Sequence, residues 1–263
     1  MIKVGVIGSD NEAMEILLKR AKSEIKEAIE FIRFDGEDTE KQALAAAHKA
    51  DIGELDILMK GIVPTRTVLR AVLSEEFSLK EKKLLSHVAI IHLPTFERTF
   101  LITDPGMNIQ PSIEELKIII ENAIDLAINM GIETPKVALL SAAENENPNM
   151  PSAVNAFELT DYYSDREDAI IYGPLSLDLA LSKDSVENKR FKGPVAGEAD
   201  IVVVPTIDAG NILYKALQLF AEVEIGGLVL GAKIPIIIPS RSDSTESKLF
   251  ALRNAIHQVK GKR

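Results

Sequence analysis

From Ile236 to Val259 the sequence changes its hydrophobic period once, and abruptly. Ile236-Ile237-Ile238 is a short β-branched run ending at Pro239, the form of a central parallel strand. After the polar stretch Ser240-Arg241-Ser242-Asp243-Ser244, the residues Leu249, Leu252, Ile256 and Val259 recur at steps of three and four, which is one face of a helix. The same change of period repeats along the chain. Runs 2–7, 28–34, 55–59, 88–92, 100–103, 136–141, 169–172, 200–204 and 225–230 read as strands. The spacing predicts helices over 38–50 and up to Leu73, a helix carrying Asn211, Tyr214 and Lys215, and two opened by capping boxes, Ser9 with Glu12 and Ser112 with Glu115. Near-continuous alternation of this kind is the signature of α/β architecture with mostly parallel sheets.

In open α/β sheets, ligands bind where strands end and helices begin. Five such loops are rich in polar residues: 60–66, 103–108, 142–148, 173–178 and 239–243. At the last of them, Arg241 beside a helix N-terminus makes a site for an anion, most naturally phosphate. The same residues carry a plainer reading, with Asp243 and Glu246 as a capping pair and Arg241 as a surface arginine. Arg66 and Arg70 share a helix face; either Lys60 and Arg70 form a second positive cluster, or the two arginines only mark a solvated helix face. Asp104 before Pro105-Gly106 is the chemistry of a turn.

Composition removes several function classes. A formal net charge of −10 disfavours nucleic acid as a partner, because a phosphate backbone requires a basic face. The 263 residues contain no cysteine, so disulfides, thiolate metal sites and a cysteine nucleophile are excluded, and a cytoplasmic protein is expected. His48, His87, His92 and His257 have no paired ligand spacing, and no metal site is expected. No run of 18 apolar residues occurs, and the apolar start is too short for a signal peptide, so no membrane association is expected. A complete G-x-G-x-x-G, a Walker A sequence and a G-x-S-x-G elbow are all missing. What remains is direct transfer involving a phosphate-bearing substrate.

Several stretches resemble one family. They are Lys60-Gly61 with Thr65 and Val68–Leu73; Leu85–Ala89; Thr103-Asp104-Pro105-Gly106-Met107-Asn108 with Pro111; and Pro135–Leu140 with Glu144 and Asn147-Pro148. Further on are Gly173-Pro174-Leu175 with Asp178; Val195-Ala196-Gly197 with Ala199-Asp200; Ala209-Gly210-Asn211 with Leu213–Ala216; and Pro239–Ser244. Together, in this order, they resemble the phosphate acetyl/butaryl-type acyltransferases, and the butyryl branch more than the acetyl branch. The first 55 residues contribute little to the likeness.

The resemblance implies two α/β domains with mostly parallel sheets and a cleft between them, an isocitrate/isopropylmalate dehydrogenase-like fold. It implies that the two ends of the chain build one domain and the middle the other; a composition shift with three lysines near 83–87 and a break near 231–234 put the first at 1–87 plus 233–263 and the second at 88–232. It implies reversible transfer of a short acyl group, butyryl or branched-chain, between coenzyme A and inorganic phosphate. Both are substrates; no cofactor is implied as tightly bound, and a homodimer or higher homo-oligomer is implied. By position, Arg241, Ser240 and Arg70 are the expected catalytic residues; Asp243, near the corner but not at a matching position, is expected as the base. Lys60, Gly61, Thr65, Asp104, Glu144, Gly173, Asp178, Asn211 and Lys215 are the expected substrate-binding residues. The acetyl-type enzymes carry an aspartate, proposed as thiol base, six residues after the corner arginine; this chain has Ser247 there. Two alternatives follow: a phosphate acetyltransferase, and a non-catalytic CoA- or acyl-phosphate-binding protein that kept the fold. A decarboxylating dehydrogenase is a third, and the missing dinucleotide fingerprint weighs against it.

Overall fold

The computed structural model describes residues 1–96, 98–240 and 243–261. By contact the chain divides into two compact units, Met1–Leu85 with Glu224–Arg263, and Ser86–Val223.

The first unit contains β1 (Ile2–Ile7), α1 (Glu12–Glu24), β2 (Ile29–Phe34), α2 (Thr39–Asp51), β3 (Ile57–Lys60) and α3 (Thr65–Val72). The second unit contributes β4 (Ser86–Leu93), β5 (Arg98–Thr103), α4 (Ile113–Asn129), β6 (Lys136–Leu140), α5 (Pro151–Tyr162), β7 (Ile170–Leu175), α6 (Leu177–Leu181), α7 (Lys183–Lys189), β8 (Ile201–Val203) and α8 (Ile207–Phe220). The chain then returns to the first unit with β9 (Glu224–Leu230), β10 (Ile236–Ile237) and α9 (Thr245–Gly261).

In the first unit the strands run β2-β1-β3-β10-β9. All neighbours are parallel except β9, which is antiparallel to β10. The apolar runs of β3 and β10 are buried throughout, as strands covered on both faces must be. In the second unit the order is β4-β5-β8-β6-β7, with only β4 antiparallel to its neighbour. Both units therefore bear out the α/β, mostly parallel reading.

Helix α4 shows why these elements hold. Ser112 accepts the Glu115 N–H, and the Glu115 carboxylate accepts the Ser112 N–H, completing the predicted capping box. Leu116, Ile119, Ile120, Ala123, Ile124 and Ala127 bury one stripe of it. Each large member contributes about 1.5–3 kcal/mol relative to exposure.

Local readings are corrected in four places. The Ser9/Glu12 capping box does not form. Asp35, at the end of β2, takes both the backbone N–H and the hydroxyl of Ser9, and Asn11 caps α1 by accepting the Met14 N–H. Second, β7 does not stop at Tyr172 but continues through Gly173 and Pro174 to Leu175. It is an edge strand, and its register with β6 shifts between Ala138 and Leu140, so two residues sit opposite one, where a proline is tolerated. Third, the strand expected at 55–59 begins at Ile57 and reaches Lys60. Fourth, α5 lies in a stretch where the periodicity marked no element.

Candidate active site

In the first unit, the parallel strands β1, β3 and β10 bring three loops to one edge of the sheet. Lys60 ends β3 and is 6% exposed, with its Nζ 3.1 Å from the Gly61 carbonyl oxygen it donates to. Gly61 follows because nothing larger fits: a Cβ there would lie 2.0 Å from the Gly8 oxygen. The Gly61 and Ile62 N–H groups donate to Ile7 and Gly8 at 2.8 Å, so the loops after β1 and β3 are locked together. Thr65 opens α3 and is exposed. Arg70 lies in the last turn of α3, five residues or about 7.5 Å along the axis from Thr65. It faces a cavity of about 400 Å³ lined with Glu40, Leu44, Thr67, Ala71, Leu73 and Ser74, and approaches Glu40 at 3.5 Å.

The corner after β10 carries Ser240 and Asp243; Arg241 lies outside the described residues. Asp243 Oδ2 accepts the Ser240 N–H at 2.7 Å, and the Asp243 N–H donates to the Ser240 carbonyl at 3.2 Å. The N-cap of α9 is Ser244, whose hydroxyl oxygen accepts the Ser247 N–H at 3.0 Å. The capping reading of Asp243 is therefore corrected, because its carboxylate turns back to the corner. Glu246, the other half of that reading, pairs with Arg20 at 2.6 Å. Ser247 sits in the first turn of α9, hydrogen-bonded to Ser244.

In the second unit, β5, β6, β7 and β8 end at a common edge. Asp104 follows β5, is 3% exposed and is surrounded by donors. Its Oδ1 accepts from the Gly106 and Met107 N–H groups at 2.9 Å, and its Oδ2 from His87 N–H at 3.1 Å and Asn108 Nδ2 at 2.6 Å. These contacts make it the centre of the 104–108 turn. Asn211, in the first half of α8, donates to the Pro105 carbonyl at 3.4 Å and so adjoins that turn. Lys215 is one turn further on, 2.9 Å from Gln218 Oε1. Gly173 is inside β7, where a Cβ would lie 2.6 Å from the Leu139 oxygen; it is a packing position against β6.

Glu144, after β6, and Asp178, at the start of α6, come together around a residue the sequence reading did not select. Lys189, the last residue of α7, lies 2.6 Å from Glu144 and 2.9 Å from Asp178. The Ser176 hydroxyl donates to Glu144 at 2.8 Å. Lys189, then Ser176, holds Glu144 below the usual carboxylate range, and Ser176, then Lys189, does the same for Asp178. Among the described residues no group of three or more histidines and carboxylates stands close enough to hold a metal.

Residues 9–255 match the phosphate acetyl/butaryl transferase family. The chain belongs to that family. It is an acyltransferase, and its reaction is reversible acyl transfer between CoA and phosphate. A probable phosphate butyryltransferase of Bacillus subtilis (strain 168) is 45% identical over 222 residues, 84% of this chain and 73% of the relative. The crystal structure of a branched-chain phosphotransacylase from Enterococcus faecalis V583 superposes with a TM-score of 0.95 at 45% identity, covering 98% of this chain and 99% of the other. A 4-hydroxythreonine-4-phosphate dehydrogenase from Burkholderia phymatum shares the fold alone, at a TM-score of 0.55 and 12% identity over 98% of both chains. The strand-end loops thus combine a buried lysine with close packing enforced by glycine, which holds their backbone in place.

Proposed function

We propose that this family member prefers a four- or five-carbon acyl group, butyryl or branched-chain, and that its reaction centres on the corner after β10. The observation that carries the acyl preference is the likeness to a butyryl-type relative and a branched-chain phosphotransacylase, both at 45% identity. Towards acyl phosphate, an oxygen of inorganic phosphate attacks the thioester carbonyl carbon, the carbonyl oxygen becomes an oxyanion, and the carbon–sulfur bond breaks. The departing thiolate takes up a proton. Towards acyl-CoA, a base removes that proton, the sulfur attacks the acyl phosphate, and phosphate leaves. An unperturbed thiol is mostly protonated at neutral pH, so the base matters.

Asp243 is the base proposed, in place of the aspartate whose position Ser247 occupies. Its support is a carboxylate at the corner that is not spent on capping α9. Arg241, Ser240 and Arg70 are proposed as donors to the growing negative charge. Lys60, Gly61, Thr65, Asn211 and Lys215 are proposed to position the substrates. Asp104 and Gly173 are proposed to act by shaping the loops on which they sit, since one is saturated with donors and the other is packed against β6. CoA and phosphate enter as substrates, with no tightly bound cofactor.

The protein is proposed to work in the cytoplasm as a homo-oligomer. Among the described residues no helix is long and apolar enough to cross a membrane. Support for self-association comes from α8, whose buried residues are Gly210 and Tyr214. Ile212, Leu219 and Phe220 on this helix are 69%, 74% and 86% exposed. Ile212, Ala216 and Leu219 follow helical spacing along one face, with Ala209 one turn earlier. A second copy running antiparallel sets each large residue over a small one.

The test of the acyl preference runs the reaction backwards. Butyryl phosphate or isobutyryl phosphate with CoA is expected to yield thioester faster than acetyl phosphate does. The opposite ranking would make the enzyme an acetyltransferase, and CoA binding without thioester would make it a binding protein.

A further inference from the structure

We propose that Lys189 is a positioning residue for the reaction, acting through Glu144 and Asp178. It gathers the two carboxylates, assigned to this cluster and not to direct substrate contact, and offsets their charge, so that anionic CoA and phosphate are not repelled there. The inference rests on the acyltransferase reading above. It goes beyond that reading in naming a residue and a task that no motif of the chain announces.

Three segments meet at this cluster: the loop after β6, the turn between β7 and α6, and the end of α7. Glu144 and Asp178 accept from the same ammonium at 2.6 and 2.9 Å. Ser176, between β7 and α6, donates to Glu144 at 2.8 Å and lies 3.4 Å from Lys189 Nζ. The three charged side chains are 35–43% exposed, so solvent screens each pair and their contribution to stability is small. On the edge where substrates are expected, the charge of the cluster also sets the local potential an anion meets. With Lys189 in place the cluster carries one net negative charge. Without it two carboxylates stand uncompensated, in a chain already at −10, on the edge where the anionic substrates are expected.

The test is Lys189→Met in the full-length enzyme, measured for kcat, for KM with acyl-CoA and with phosphate, and for CoA affinity by calorimetry. A rise of up to about tenfold in KM and in the CoA dissociation constant is expected, with kcat within about twofold of native, from the change in local potential when one charge is removed at a surface. Lys189→Arg is expected to restore both. Neutralising the carboxylates in the same background (Glu144→Gln, Asp178→Asn, Lys189→Met) is expected to recover most of the lost affinity, and added salt to shrink the defect. Native KM and CoA affinity in Lys189→Met would overturn the proposal. So would a defect that neither salt nor the triple variant relieves, since that marks a merely structural contact. Calorimetry with CoA needs no turnover, so failure of the acyltransferase reading and failure of the Lys189 reading give different results.

Discussion

Asp243 reaches back across the corner to accept the backbone N–H of Ser240 at 2.7 Å. An asparagine keeps an acceptor in that place and loses the charge. Asp243→Asn is therefore expected to lower kcat at least tenfold with little change in melting temperature. Ser244→Ala should do the reverse, costing about 1 kcal/mol by loss of the α9 cap and sparing turnover. Kinetics and thermal melting of both variants decide it. Normal kcat with early melting in Asp243→Asn would assign the carboxylate to the turn alone.

Arg241→Ala is expected to reduce turnover almost to background while the far-ultraviolet dichroism and melting temperature stay native. A variant with normal kinetics would remove Arg241 from the reaction.

Gly61→Ala should be among the most damaging single-methyl additions in the chain. The new Cβ meets the backbone oxygen of Gly8 at 2.0 Å, and backbone cannot swing aside as a side chain can. A loss of about 3 kcal/mol in urea unfolding is expected, in the range of strained or overpacked sites. A loss below about 0.5 kcal/mol would mean that the loops after β1 and β3 are not locked.

Acid should loosen the second unit through Glu198. Its carboxyl is held down to about 2, by Lys136 first and then by Lys183, against an ordinary value of 4.5. The unfolded chain takes up this proton at higher pH than the folded one. The stabilisation is thus complete above about 4.5 and is lost as pH falls toward about 2. Urea unfolding at pH 6 and pH 3 should show a smaller drop for Glu198→Gln than for the native chain. Equal drops would show that the ion pair does not contribute.

Self-association through α8 predicts that Leu219→Glu with Phe220→Glu shifts the mass measured by light scattering down to that of a single chain, with helix content kept. A native mass in the variant would place the subunit contact elsewhere.

The strands were legible because short apolar runs, such as the β-branched Ile236–Ile238 and the buried Leu58-Met59, have few alternatives to a buried parallel sheet. Helix α4 was legible because its cap and its apolar stripe agree. Pairings between distant residues were not. Ser9 was assigned to a cap because nothing local reveals Asp35, 26 residues away, as the stronger partner. Helix α5 escaped notice because its buried stripe is Ala153, Ala156 and Leu159, too small and short to stand out. Gly173-Pro174 looked like a strand end, since only the sheet order tells that β7 is an edge. In the candidate site, motif order marked Glu144 and Asp178, but Lys189 lies 45 residues from one and 11 from the other, at no recognisable spacing.

The central claim is best tested by phosphate-dependent release of free CoA from acetyl-, butyryl- and isovaleryl-CoA, read with a thiol reagent to which this cysteine-free chain is silent. Release that requires phosphate and is fastest with the four- and five-carbon thioesters is the expected result. Release fastest with acetyl-CoA, or none with any thioester while CoA still binds, would contradict it.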